Sequence, residues 1–145
     1  MSFKNKRILV PIDGSEPSFR ALSLAIQLAQ ETKAELDIVS VIDLTHVDAF
    51  DGYMMSEHQF EELKVAVKEE VLDEAKKRLP ADAPPHRARL MWGGVVETLL
   101  REAEEGDVAM IVLGRTGKGF FGRLLEGSVS RALAVHGPVP VVIVP

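Results

Sequence analysis

Five short apolar runs alternate with stretches of helical period along this chain, and that alternation restricts the fold more than any other feature. The runs are Arg7 to Ile12 (R-I-L-V-P-I), Glu35 to Ile42 (E-L-D-I-V-S-V-I), His86 to Met91, Asp107 to Leu113 and Val139 to Val144 (V-P-V-V-I-V). Most are nearly continuous in apolar residues, as strands buried on both faces are. After the first run, Ser15 is placed to cap a helix and Pro17 to sit in its first turn. Ala21, Leu22, Leu24, Ala25, Leu28 and Ala29 then recur at helical spacing to about Thr32. Ser56 to Leu79 reads as one long charged amphipathic helix with Phe60, Leu63, Val67, Val71, Leu72, Ala75 and Leu79 on one side. Val95 to Glu105 is a third helix closed by Gly106, and Gly127 to Val135 a fourth, broken by His136-Gly137-Pro138. Crossovers of this length permit parallel pairing. The expectation is an α/β protein, a single doubly wound domain with a five-stranded parallel sheet and helices on both faces.

The length of 145 residues and a hydrophobic content of 46% suffice for one packed core. Arg87 and Arg89 alternate with Ala88 and Leu90, the pattern of a guarded edge strand. The stretch from Asp43 to Met55 has neither helical nor strand period and reads as a long loop. A formal charge of −5 argues against a nucleic-acid or anionic-membrane surface, so any bound anion must be caught locally. There is no cysteine, hence no disulfide framework and no thiolate site. With no apolar leader before the first strand and no apolar run long enough to span a bilayer, the expectation is a cytoplasmic protein.

One stretch carries chemistry. From Val108 to Ser130 the sequence reads V-A-M-I-V-L-G-R-T-G-K-G-F-F-G-R-L-L-E-G-S-V-S. A strand stops at Gly114, a loop follows with Gly117, Gly119 and Gly122, and Gly127-Ser128 opens a helix. Glycines let backbone N–H groups approach an anion closely, and the first N–H groups of a helix are unpaired and carry the positive end of its dipole. Ser128 and Ser130 add hydroxyl donors. An arbitrary glycine-rich loop is more often a plain surface connection. Here Asp13, Asp43 and the Gly114 loop all stand at the carboxyl ends of strands, where ligands bind in open α/β sheets. Two other phosphate motifs do not apply. Gly117 to Gly122 fits G-x-G-x-x-G but has no acidic residue about 20 positions later, and Lys118 is followed by glycine rather than by a magnesium-binding hydroxyl.

The remaining polar residues give less. His46, His58, His86 and His136 lack zinc-ligand spacing, and no serine stands in a recognisable nucleophile motif, so no catalytic residue is assigned. Lys118 and Arg123 either offset phosphate charge or are solvated loop cations. Asp13 or Asp43 could hold Mg²⁺ against a triphosphate, since magnesium is bound by one or two carboxylates plus phosphate oxygens. Pro140 cannot donate a ladder hydrogen bond, which sends the last strand to a sheet edge, and that edge carries no charge. A second copy of the chain, docked through Val139, Pro140, Val141, Val142, Ile143 and Val144, would cover it as a homodimer; a short edge covered by the chain's own helix is the alternative.

The opening I-L-V-P-I-D-G-S-E-P-S, the block from Gly93 to Gly114 and the closing G-P-V-P-V-V-I-V-P resemble the universal stress protein family over essentially the whole chain, 1–145. Gly114-x2-Gly117-x9-Gly127-Ser128 matches the signature of that family's ATP-binding branch. The resemblance implies a single domain of the adenine nucleotide alpha hydrolase-like type, a sheet order of 3-2-1-4-5, dimerisation through the last strand, and ATP or AMP in the crevice. By matching position it implies that Pro11, Ile12, Asp13 and Val41 contact the nucleoside. Leu113, Gly114, Arg115 and Gly117 would flank the ribose and first phosphates, and Gly127, Ser128, Val129 and Ser130 would hold the phosphates. The function expected is a nucleotide-dependent stress-response regulator acting on a protein partner the sequence does not identify. A slow ATP hydrolase and a nucleotide-independent interaction module are the rivals, and a flavodoxin-like electron carrier a distant further one.

Overall fold

In a computed structural model that describes residues 2–43, 56–115 and 127–145, the apolar runs become β1 (Arg7–Pro11), β2 (Glu35–Ile42), β3 (His86–Trp92), β4 (Val108–Gly114) and β5 (Val141–Val144). All pairings are parallel and the order is β3-β2-β1-β4-β5. The helices are α1 (Glu16–Thr32), α2 (Glu57–Val67), α3 (Asp73–Lys77), α4 (Val95–Ala103) and α5 (Ser128–His136). The expected strand order and doubly wound architecture are both present. The region 44–55, expected as a loop, lies outside the described residues, and so do Gly117, Lys118, Gly119, Gly122 and Arg123. Among the described residues no helix is long and apolar enough to cross a membrane.

Alternation along the central strand divides the interior. Ile8, Val10 and Ile12 pack with Leu22, Ala25, Ile26 and Ala29 of α1 and with Val67, Val71, Leu72 and Ala75. Leu9 points the other way, against Leu99 and Ala103 of α4 and Leu133 of α5. Two faces and two helical layers follow from the two-residue period of a strand. Ser15 caps α1 as expected, accepting from the Ser18 N–H, and Ser56 forms a reciprocal capping box with Gln59 at the start of α2.

The long helix expected from Ser56 to Leu79 is not uniform. A π-helical turn, Lys68–Leu72, joins α2 to α3, and the Asp73 N–H bonds to the Lys68 carbonyl. The apolar residues Val67, Val71, Ala75 and Leu79 recur every four positions, which outruns the 3.6 residues of an α-helical turn. One wider turn takes up the difference, and Val67, Val71 and Ala75 are all buried.

Arg87 and Arg89 stand on an edge strand, as expected, but these side chains do more than guard it. Arg89 donates to Asp37 at 3.0 and 2.7 Å and to Glu102 at 2.8 Å, and Arg87 donates to Asp37 at 3.1 Å. Arg7 bonds to Asp37 as well, to Glu102 at 3.1 Å and to Asp107 at 3.1 Å. The Asp37 side chain is only 1% exposed and that of Arg7 5%, so this ionic network at the amino ends of β1, β2 and β3 has a buried centre, with Arg87 and Asp107 at its exposed rim. Burial works against the charged form of Asp37, but hydrogen bonds from Arg89 and Arg87, the Arg89 charge and the Arg7 bond outweigh it and its pKa is lowered. Glu102 is also lowered, chiefly by the Arg89 hydrogen bond. The network lies at the end of the sheet opposite the crevice described next.

Candidate nucleotide site

Two neighbouring strands end side by side with their chains leaving in opposite directions. From β1 the chain passes through α1 to β2; from β4 it passes through α5 to β5 on the other side. The gap between the carboxyl ends of β1 and β4 is the point where strand order reverses, the place where such sheets open a crevice.

On the β1 side stand Pro11, Ile12 and Asp13. The Ile12 N–H donates to the Val39 carbonyl at 2.8 Å, which prolongs the strand by one buried residue. Asp13 is half-buried, and its Oδ1 accepts from the Ser15 N–H at 2.9 Å, a local turn that leads into α1. Val71 of the π-helical turn packs here: a side-chain carbon on Gly14 would meet its Cγ2 at 3.3 Å.

On the β4 side stand Leu113, Gly114 and Arg115. A Cβ on Gly114 would lie 2.8 Å from the Pro17 carbonyl carbon and 2.9 Å from both Pro17 Cβ and Ser18 N. The first turn of α1 therefore rests directly on the end of β4, and only glycine admits it. The Arg115 N–H donates to the Val144 carbonyl at 2.7 Å, and the Arg115 side chain is exposed.

Helix α5 opens beside this strand end. Gly127 at its N-cap has φ +78°, the left-handed region, and no side chain caps the helix among the described residues. Ser128 is exposed at the first turn, Val129 half-buried and Ser130 buried. The Ser130 hydroxyl faces inward, 2.9 Å from the Arg115 carbonyl and 3.0 Å from the Gly127 carbonyl.

The structure thus gathers Pro11 to Asp13, Leu113 to Arg115 and Gly127 to Ser130 around one gap. Val41 is one strand further away, half-buried in β2 opposite Met91. Asp43 follows the end of β2. Among the described residues no three His, Cys, Asp or Glu side chains cluster to hold a metal ion. The contact of α1 on Gly114 had no sequence signal beyond the glycine itself, because its partners Pro17 and Ser18 lie nearly a hundred residues earlier.

A family model described as the universal stress protein family matches residues 4–145. The universal stress protein YxiE of Bacillus subtilis is 31% identical over 144 residues, covering 95% of this chain and 97% of that protein. Among solved structures, UspA from Lactobacillus plantarum superposes with a TM-score of 0.72 at 24% identity, covering 98% and 99% of the two chains. A universal stress protein crystallised in complex with cAMP superposes with a TM-score of 0.64 at 28% identity, covering 96% and 95%.

Proposed function

This chain belongs to the universal stress protein family, and from that premise we propose that it binds an adenine nucleotide, ATP or AMP, in the crevice between β1 and β4 and acts as a homodimeric, nucleotide-dependent stress-response regulator. The observation that carries the reading is the pairing of two bare backbone elements, the Gly114 strand end and the uncapped Gly127 start of α5, side by side on the β4 side of the gap and across it from Pro11 to Asp13. A nucleotide is long enough to use both. The relative crystallised with cAMP supports the adenine class.

In this reading Pro11, Ile12 and Val41 contact the nucleoside. Asp13, with one oxygen bonded to Ser15, offers the other to a ribose hydroxyl. Leu113, Gly114, Arg115 and Gly117 flank the ribose and first phosphates. The backbone N–H groups of Ser128, Val129 and Ser130, with the Ser128 hydroxyl, meet the phosphate charge at the positive end of α5. Mg²⁺, where a triphosphate brings it, would be shared with Asp13 or Asp43. Calorimetric titration with ATP and AMP tests the assignment. Asp13→Ala is expected to weaken binding about ten- to a hundredfold, the loss of a hydrogen bond to a charged acceptor. An unchanged affinity would remove Asp13 from the site.

The dimer would form through Val139 to Val144. β5 pairs with β4 on one side, and Ile143, 38% exposed, and Val135, 69% exposed, present apolar surface nearby. Light scattering at micromolar concentration is expected to give twice the chain mass for the native protein and the single-chain mass for Ile143→Lys, which puts a charge on that edge. A native monomer under those conditions contradicts the dimer. Turnover of ATP well above a protein-free control, abolished by Asp13→Ala, would favour the slow-hydrolase reading instead.

A further inference from the structure

Ser130 ties its own helical turn to the end of β4, 15 residues earlier in the chain. It is 5% exposed, and its Oγ lies 2.9 Å from the carbonyl of Arg115 and 3.0 Å from the carbonyl of Gly127. A serine hydroxyl has a single proton to donate. In the described structure that proton is shared between, or alternates between, the two backbone carbonyls. Arg115 is also held through its N–H, which donates to the Val144 carbonyl at 2.7 Å. The Gly127 carbonyl also accepts from the Arg131 N–H at 2.9 Å. A Cβ on Gly127 would stand 3.3 Å from the Arg115 oxygen, so the two backbones are already close.

We propose that the Ser130 hydroxyl has a positioning role in nucleotide binding: it braces the end of β4 against the first turn of α5, setting the span between the ribose side and the phosphate side of the crevice, while the phosphate is left to the backbone N–H groups of that turn. The inference rests on the nucleotide-binding reading above, and it separates Ser130 from Ser128. Ser128 is exposed at the same helix end and is left to meet the phosphate directly.

Two measurements on the native chain, Ser130→Ala and Ser130→Thr test this. In the nucleotide-free proteins, the carbonyl ¹³C resonance of Arg115 reports whether its oxygen accepts a hydrogen bond. It is expected to move in Ser130→Ala and to return toward the native position in Ser130→Thr, which keeps the hydroxyl. In titrations with AMP, Ser130→Ala is expected to bind about tenfold more weakly and Ser130→Thr near the native affinity, the loss of roughly one hydrogen bond. Adding AMP to the native protein is expected to leave the Arg115 carbonyl resonance in its hydrogen-bonded position. If AMP instead moves it as Ser130→Ala does, the hydroxyl turns to the phosphate and the positioning role is overturned. Native affinity in Ser130→Ala overturns it too, while leaving nucleotide binding intact. A native protein that binds neither AMP nor ATP overturns the underlying reading and this role with it, and the carbonyl shifts would then describe a brace of the fold alone.

Discussion

Asp37→Asn is expected to lower the free energy of unfolding by about 3–5 kcal/mol, measured by denaturant titration, although the substitution keeps the size of the side chain. Asp37 sits on β2 with its side chain 1% exposed and takes bonds from Arg7 on β1 and from Arg87 and Arg89 on β3. Without its charge, Arg7, 5% exposed, and Arg89, 27% exposed, keep Glu102 as their shared carboxylate, and Arg7 also keeps the more exposed Asp107 at 3.1 Å and Glu105 at 3.8 Å. The penalty is that of buried guanidinium charge left with too little carboxylate to balance it, which is larger than the net worth of the ion pairs themselves. A change below about 1 kcal/mol would mean that water reaches the network.

The same network contributes to the stability of the fold toward acid. The folded state holds the Asp37 and Glu102 carboxyls below their ordinary pKa values. Unfolded carboxyls take up protons near pH 4, where the folded ones stay ionised. Their contribution is therefore complete above about pH 4 and is lost as the pH falls from there through the folded-state values. Asp37→Asn should flatten this part of the stability profile.

Gly114→Val is expected to abolish measurable nucleotide binding and to destabilise the fold by about 1–3 kcal/mol. The added Cβ would meet the Pro17 carbonyl carbon at 2.8 Å and Ser18 N at 2.9 Å, both backbone atoms of a helical first turn that cannot rotate away. Either α1 lifts from the strand end or the end of β4 bends outward, and both open the crevice. Calorimetry with AMP reads the first effect and thermal unfolding the second. Native affinity in this variant would place the nucleotide elsewhere.

The sheet was legible because its signal is local. β2 has the bounds Glu35–Ile42 read from its apolar run, and the remaining strands shift by one or two residues at their ends. Ser15 and Pro17 likewise act through neighbours a few positions away, whereas α4 stops at Ala103 with Glu104 as its C-cap, short of the closure expected at Gly106. The ionic network escaped because its members are separated by up to a hundred residues, as Arg7 and Asp107 are. One clue was present: an aspartate in the middle of E-L-D-I-V-S-V-I cannot be buried without a partner. The π-helical turn had its clue in the four-residue spacing from Val67 to Leu79. The site itself was legible in type, through glycines and strand ends, but the inward turn of Ser130 was not. A hydroxyl near a helix start points either to ligand or to backbone, and the choice depends on how closely the end of β4 approaches α5.

The central claim is that the gap between β1 and β4 holds an adenine nucleotide. Its most direct test is to denature freshly purified native protein and identify released small molecules by mass spectrometry, with Gly114→Val alongside and added ATP and AMP titrated into both. The account predicts an adenine nucleotide released from, or bound by, the native protein and none with the variant. Native protein that releases none and takes up neither nucleotide would contradict it and favour a nucleotide-independent interaction module.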